Sequence, residues 1–113
     1  MVHFLLPFVC SMRYPTERQS ARAYDAVRNL LYLHECDLAG YRLHHEDGEW
    51  IVAVVGELPA LQLAVQCERA MQAAGGQPIS LPDDLLLLLA VRKRLLLHNR
   101  TWAERSYRSG SVE

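Results

Sequence analysis

Residues 50–55, WIVAVV, constrain the fold of this chain more than any other segment. Because successive side chains of a strand point to opposite faces, a strand with this composition is apolar on both faces and needs a layer of structure on each. Residues 41–46, YRLHHE, alternate in polarity, and the dipeptide Asp47-Gly48 between the two segments is favoured in tight type I′ turns. We therefore predict an antiparallel hairpin in which a half-exposed strand precedes a strand at the centre of a sheet.

The rest of the chain supplies two further strands and three helices. The strand at residues 2–12 is apolar on both faces, whereas the strand at residues 77–81 contains Pro78. Since proline donates no hydrogen bond to a ladder, this last strand is predicted to lie at an edge. Apolar residues spaced three or four apart predict the helices. These helices begin at Thr16, Pro59 and Pro82.

The order of elements over residues 2–81 is strand, helix, strand, strand, helix, strand. This order resembles the ferredoxin-like fold, a two-layer βαββαβ sandwich whose first and third strands are central. Those are the two strands that are apolar on both faces here, so topology and burial pattern agree. The third helix, residues 82–106, is an addition to that core. We predict a single α+β domain over residues 1–108, followed by a short polar tail at residues 109–113.

One face of such a sandwich needs a cover that the resemblance does not supply. Both helices of a ferredoxin-like core lie on the same sheet face, which leaves the other face open to water. The central strands of this chain are apolar on that face too, and soluble monomers rarely expose an apolar patch of that size. We therefore expect the third helix, a second copy of the chain or another partner to cover it.

The third helix also carries the strongest signal of an interaction surface. Its apolar residues recur at spacings of three and four, the pattern of a helix that packs along its length. The leading hypothesis is a non-enzymatic interaction or regulatory module, which contacts a second copy or a protein partner through the open sheet face and this helix. The predicted apolar anchors are Leu88, Val91, Leu95 and Trp102, with Arg94 and Arg105 at the rim.

Charge is distributed unevenly along the chain, although its net value is only −1. Residues 1–90 hold six basic and eleven acidic side chains, whereas residues 91–113 hold six and two. A basic C-terminal helix favours a second hypothesis, nucleic-acid binding through contacts with phosphates. The acidic remainder of the surface disfavours it, because it repels a polyanion. The residues of this alternative site are Arg94, Arg105 and Arg108.

Histidines near the hairpin suggest a third hypothesis, a dimeric α+β-barrel enzyme that acts on a small molecule with His34, His44 or His45 as acid–base groups. Adjacent His44 and His45 point to opposite faces of a strand, so we predict no metal site among them. We also predict no cofactor, because the six glycines form no phosphate-binding loop. No residue carries a recognisable catalytic signature, which favours the non-enzymatic hypothesis.

Three cysteines bear on the compartment. Cys10, Cys36 and Cys67 are widely spaced and odd in number, so we expect free thiols in a reducing environment. The longest apolar run, residues 85–91, is far shorter than the roughly 20 residues of a membrane span. We therefore expect a cytoplasmic protein with no membrane partner.

Overall fold

In the computed structural model, the chain forms one four-stranded antiparallel sheet with three helices, an α+β architecture. The structure describes residues 6–34, 36–44 and 47–94. The strands are β1 (Phe8–Tyr14), β2 (Leu38–His44), β3 (Trp50–Gly56) and β4 (Gln77–Pro78). The helices are α1 (Glu17–His34), α2 (Leu61–Ala73) and α3, which begins at residue 83 and reaches residue 94, the last one described. Within these ranges no helix combines the length and the apolar character that a membrane span requires.

The strands lie in the order β2-β3-β1-β4, and each neighbouring pair is antiparallel. β3 pairs with β1 on one side and with β2 on the other over its full length, from Trp50 to Gly56. Every residue of β3 after Trp50 is buried. This burial is what the run WIVAVV predicts, because a strand inside a sheet with both faces covered has no side that tolerates polar residues.

α1 and α2 cover one face of the sheet. Thr16 caps α1, since its hydroxyl oxygen accepts a hydrogen bond of 3.2 Å from the N–H of Gln19. The hydroxyl of Tyr14 donates to the carbonyl oxygen of Met71 at 2.9 Å, which ties the end of β1 to the last turns of α2. The buried residues of this first core are Met12, Tyr14, Ala23, Val27, Leu38, Val52, Val54, Leu63, Cys67 and Met71.

The other face of the sheet is covered by α3, which corrects the expectation of a two-layer sandwich. Leu86 and Leu89 of this helix belong to a second core with the β3 side chains that point away from α1 and α2, namely Ile51, Ala53 and Val55. The sheet therefore lies between two helical layers. Of the three covers that the sequence allowed, the chain's own third helix occupies this face.

The loop between β2 and β3 is longer than the tight type I′ turn that Asp47-Gly48 predicts, so that prediction is wrong. His44 pairs with Trp50, which leaves five residues to connect the strands. Gly48 does adopt a positive φ of 92°, and the N–H of Glu49 donates to a carboxylate oxygen of Asp47 at 3.0 Å. His44 and Trp50 form the last pair of the ladder, and their rings stack with centroids 4.2 Å apart.

The bounds of two strands differ from those that the sequence predicts, and β1 extends two residues past its predicted end, to Tyr14. β1 begins at Phe8, just after Pro7, because proline cannot donate to the ladder; residues 2–5 of the predicted strand lie outside the described residues. β4 ends at Pro78, after two residues, and the chain then leaves the sheet to begin α3. The predicted extension of the third helix to residue 106 and the tail that follows it also lie outside the described residues.

We expect Gly56→Ala to lower the free energy of unfolding by about 3 kcal/mol. Gly56 has a positive φ of 151°, and a Cβ at this position would overlap the carbonyl oxygen of Asp37 and lie 2.9 Å from Cε of Lys93. Urea denaturation measures the loss. Gly48→Ala is the matched control, since Gly48 also has a positive φ but its Cβ would meet nothing within 4 Å, and we expect a loss of about 1 kcal/mol there. Equal losses in the two variants would contradict this account.

Candidate protein-interaction surface

The first turn of α3 is set by a proline and two carboxylates. The N–H of Leu86 donates to the carbonyl oxygen of Pro82 at 3.0 Å, which is the hydrogen bond expected where a helix begins. Asp83 and Asp84 lie in that first turn, where negative charge is favoured by the helix dipole. Leu81, just before the helix, is buried in the second core, so the entry to α3 is anchored to the sheet.

One side of α3 faces the sheet. Leu89 is fully buried, and Leu86 and Ala90 expose 5% or less of their surface. These positions follow the i, i+3, i+4 spacing of a helix with one buried side. Lys93 continues that side, with Cε close to Gly56, so the aliphatic stem of the only lysine in the chain is buried.

The opposite side of α3 is also apolar. Leu87, Leu88 and Val91 expose 47%, 43% and 49% of their surface, although the helix is already docked on the sheet. Residues separated by three or four positions are neighbours on a helix surface, so Val91 lies beside both leucines and the three form one patch. We call this patch the outer stripe. Arg92 and Arg94 are exposed at the same end of the helix as Val91.

The structure places some of the predicted partner-binding residues and not others. Leu88 and Val91 belong to the outer stripe, and Arg94 is exposed near it. The remaining predicted residues, for the partner site and for the nucleic-acid alternative, lie outside the described residues; they are Leu95, Trp102, Arg105 and Arg108. The spacing of three and four that predicted the packed side of the helix therefore marks its outer side, whereas Leu86 and Leu89 face the sheet.

α3 reaches across the sheet as far as β2. Tyr41 of β2 packs against the second core, and its hydroxyl is buried with no hydrogen-bond partner among the described residues. Burial raises the pKa of Tyr41, and the positive charge of Arg92 acts in the opposite direction. Lys93 also lies close to Gly56, the β3 residue that pairs with Leu38, so the last described turn of α3 lies near the start of β2.

The structure does not bring the candidate acid–base histidines together. His34 ends α1 and precedes β2, whereas His44 ends β2, so the length of that strand, about 24 Å, separates them. His44 stacks on Trp50, and the guanidinium of Arg42 lies 5.0 Å from the same ring. His45 lies outside the described residues. Within the described ranges no three histidine, cysteine, aspartate or glutamate residues are placed to hold a metal ion.

The thiols are free, and two of them are held in the protonated form. Burial, with a smaller contribution from the charge of Glu68, raises the pKa of Cys10 to about 11. Burial also raises the pKa of Cys67 to about 11, and its neighbours Cys10 and Cys36 add to the effect. Since the thiolate is the reactive form of cysteine, these two residues are poor nucleophiles near neutral pH.

Two grooves lie at opposite edges of the sheet. One, of about 340 Å³, runs between β1 and the segment that links β4 to α3, and its lining includes Cys10, Glu68 and Ile79. The other, of about 790 Å³, runs between α1 and the first half of β2, and we call it the β2 groove. Besides Cys10, the first groove is lined by the carboxylate of Glu68 and by the serines Ser11 and Ser80. The second lies beside main chain of an edge strand.

No family model, curated protein or solved structure matches this chain. The function therefore has to be inferred from its own residues. Reasoning from the sequence missed Leu87 as part of the surface, because a run of five leucines is apolar all round and does not say which side is buried. It also missed the β2 groove. The spacing of apolar residues within one helix or strand carries no information about the space between that element and another.

We expect the protein to lose stability as the pH rises from about 9 to 11. The ordinary thiol pKa is 9.0, so unfolded chains ionise Cys67 first, whereas the folded chain resists ionisation until the pH reaches about 11. The stabilisation is complete below pH 9 and is lost through that window, by about 2 kcal/mol for this residue. Urea denaturation of wild type and Cys67→Ala over the window measures it. Parallel pH profiles for the two proteins would contradict this assignment.

Proposed function

We propose that the chain is a non-enzymatic protein-interaction module that associates with a second copy through the outer stripe of α3. The observation that carries this proposal is the two-sided apolarity of the helix. Leu86 and Leu89 already account for its attachment to the sheet, yet Leu87, Leu88 and Val91 remain about half exposed. A helix that served only as a cover would carry polar residues at those outer positions.

The size of the outer stripe indicates a weak and reversible contact. Complete burial of a leucine or valine contributes roughly 1.5–3 kcal/mol, so the exposed half of each side chain offers about 1 kcal/mol. A twofold contact buries the stripe of both copies, which gives about 6 kcal/mol in total. Association itself costs at least about 4 kcal/mol in lost translational and rotational freedom. The surplus of at most about 2 kcal/mol corresponds to a dissociation constant of tens of millimolar, so one stripe contact is transient unless a second contact holds the same copies together.

The alternative functions have less support among the described residues. A dimeric α+β barrel would enclose a site on the sheet face that α3 covers, and of the histidines proposed for it, His34 and His44 are far apart. For nucleic-acid binding, Lys93 is nearly buried, so Arg92 and Arg94 are the exposed cations on the described part of α3. Two cations at one end of a helix whose other end carries Asp83 and Asp84 make a small electrostatic footprint.

We also assign the core to the ferredoxin-like fold. The order β2-β3-β1-β4, taken from the other edge of the sheet, is 4-1-3-2 with all neighbours antiparallel, which supports this assignment. In this proposal α3 is an added cover on the face that such a core leaves open, and the chain is a single domain over residues 1–108. Three free cysteines support a reducing compartment such as the cytoplasm.

The proposal predicts that Leu88→Glu weakens self-association at least about tenfold, because it places a charge in the centre of the apolar contact. Light scattering over about a hundredfold range of concentration, up to several millimolar in chain, measures the mass. We expect the stability to urea to change by less than about 0.5 kcal/mol, since Leu88 is already half exposed.

Leu61→Glu is the matched control for this experiment. Leu61 is another exposed helical leucine, but it lies at the start of α2, in the other helical layer. We expect this variant to associate as the wild type does. An unchanged mass in Leu88→Glu, or an equal loss in both variants, would refute the assignment of the contact to the outer stripe.

A further inference from the structure

The two edges of the sheet are unlike. β4 forms one edge with only two residues, one of which is Pro78, and short proline-containing edges resist pairing with another chain. β2 forms the other edge with seven residues that all pair with β3, and it contains no proline. No described strand lies beyond β2. Leu38 and Ala39 expose only 3% of their surface, whereas residues 40–44 are partly or fully exposed, so the edge is open to an additional strand from Gly40 onward.

The hydrogen bonds of the sheet show which groups of β2 are free to pair. Successive residues of an antiparallel strand direct their N–H and C=O to opposite neighbours. The N–H of Ile79 donates to the carbonyl oxygen of Ser11 at 3.1 Å, so Ser11 bonds toward β4 and Met12 toward β3. Met12 pairs with Val52, so Val52 directs its main-chain groups toward β1. The next residue, Ala53, therefore directs its groups toward β2, where it bonds to Tyr41. By the same alternation, four residues direct their main-chain groups outward: Leu38, Gly40, Arg42 and His44.

The space beside this edge has a shape and composition suited to a partner. The β2 groove is lined on the α1 side by aromatic and aliphatic side chains together with charges of both signs. Tyr32 at its margin exposes 84% of its surface, and the guanidinium of Arg28 lies 5.5 Å from the ring of Tyr24. Aromatic and arginine side chains of this kind are enriched at protein interfaces.

We propose that β2 pairs antiparallel with β2 of a second copy, around a twofold axis that passes through Tyr41. This register sets Leu38 opposite His44 and Gly40 opposite Arg42, so every outward N–H and C=O of the strand has a partner. Other registers in which outward-directed residues still face each other are less favourable. They place Arg42 opposite Arg42 of the other copy, or they leave residues at the end of the strand unpaired. In the centred register, the bulky Arg42 lies across from a residue with no side chain.

The area of such a contact fits a reversible dimer. The contact area is set by two lengths. The edge of β2 is about 24 Å long, and the contact is about 20 Å deep, the combined thickness of the sheet and one helix layer. The two copies together would bury on the order of 1,000 Å², which is at the lower limit for specific interfaces. Because the twofold axis is perpendicular to the sheet, the α3 helices of both copies lie on the same face. Outer stripes could then join two edge dimers into a tetramer.

The first test removes one outward N–H without touching the ladder between β2 and β3. Arg42→Pro deletes an N–H that points away from β3, so we expect the fold to persist, as judged by circular dichroism and urea denaturation. Two hydrogen bonds are lost across the axis, and we expect the edge dimer to weaken about thirtyfold. Arg42→Ala, which keeps the N–H, is the matched control and should dimerise as the wild type does. Sedimentation equilibrium of the full chain measures both.

The second test reports the register. Because Tyr41 packs against the second core, the fold of the variant is first verified by circular dichroism. At the axis, the two Tyr41 residues form a non-hydrogen-bonded pair with Cα atoms about 4.5 Å apart, within the range for a disulfide. We expect Tyr41→Cys to form a covalent dimer on mild oxidation. Leu43→Cys, which faces Ala39 of the other copy, and the wild type with its own three cysteines should not.

The two variants separate this proposal from the one for α3. If both contacts exist, Leu88→Glu and Arg42→Pro each convert a tetramer to a dimer, and the double variant is a monomer. A dimer that Arg42→Pro dissociates and Leu88→Glu does not supports the edge contact and refutes the stripe. A dimer with the reverse behaviour, a wild type that stays monomeric at every concentration, or no cross-link in Tyr41→Cys would overturn the edge contact.

Discussion

The burial of β3 on both faces is the constraint on which the rest of the structure depends. Its side chains alternate between two cores, with Val52 and Val54 toward α1 and α2 and Ile51, Ala53 and Val55 toward α3. A strand of this kind loses its stabilisation if either face is exposed, since each large apolar side chain contributes roughly 1.5–3 kcal/mol when buried. The chain therefore needs a second helical layer, and α3 is the described element that supplies it.

The demands on α3 explain its leucine-rich sequence only in part. A cover for the second face requires one buried side, and Leu86, Leu89 and Ala90 fulfil that requirement. The outer stripe of Leu87, Leu88 and Val91 is additional apolar surface, and it costs solubility without strengthening the attachment of the helix. We propose that its role is the contact with a second copy of the chain.

Burial keeps several of the described ionisable side chains in their protonated forms. Burial keeps the thiols of Cys10 and Cys67 protonated, and it raises the pKa of Tyr14 above its ordinary value. His44 is stacked on Trp50. The two edges of the sheet also differ. β4 is short and contains Pro78, whereas β2 is regular along its whole length. Both observations direct attention to surfaces rather than to a reaction centre.

The sequence by itself determined the α+β class, the elements and the need for two covers, because apolar spacing within a segment reports which faces of that segment are buried. It also predicted Leu88 and Val91 as apolar anchors, and the structure places both on the exposed side of the third helix. Only the tertiary structure decided that Leu86 and Leu89 face the sheet, that five residues join β2 to β3, and that a groove lies beside Leu38, Ala39 and Gly40. Each of these depends on distances between elements, and the periodicity of one element carries no information about the position of another.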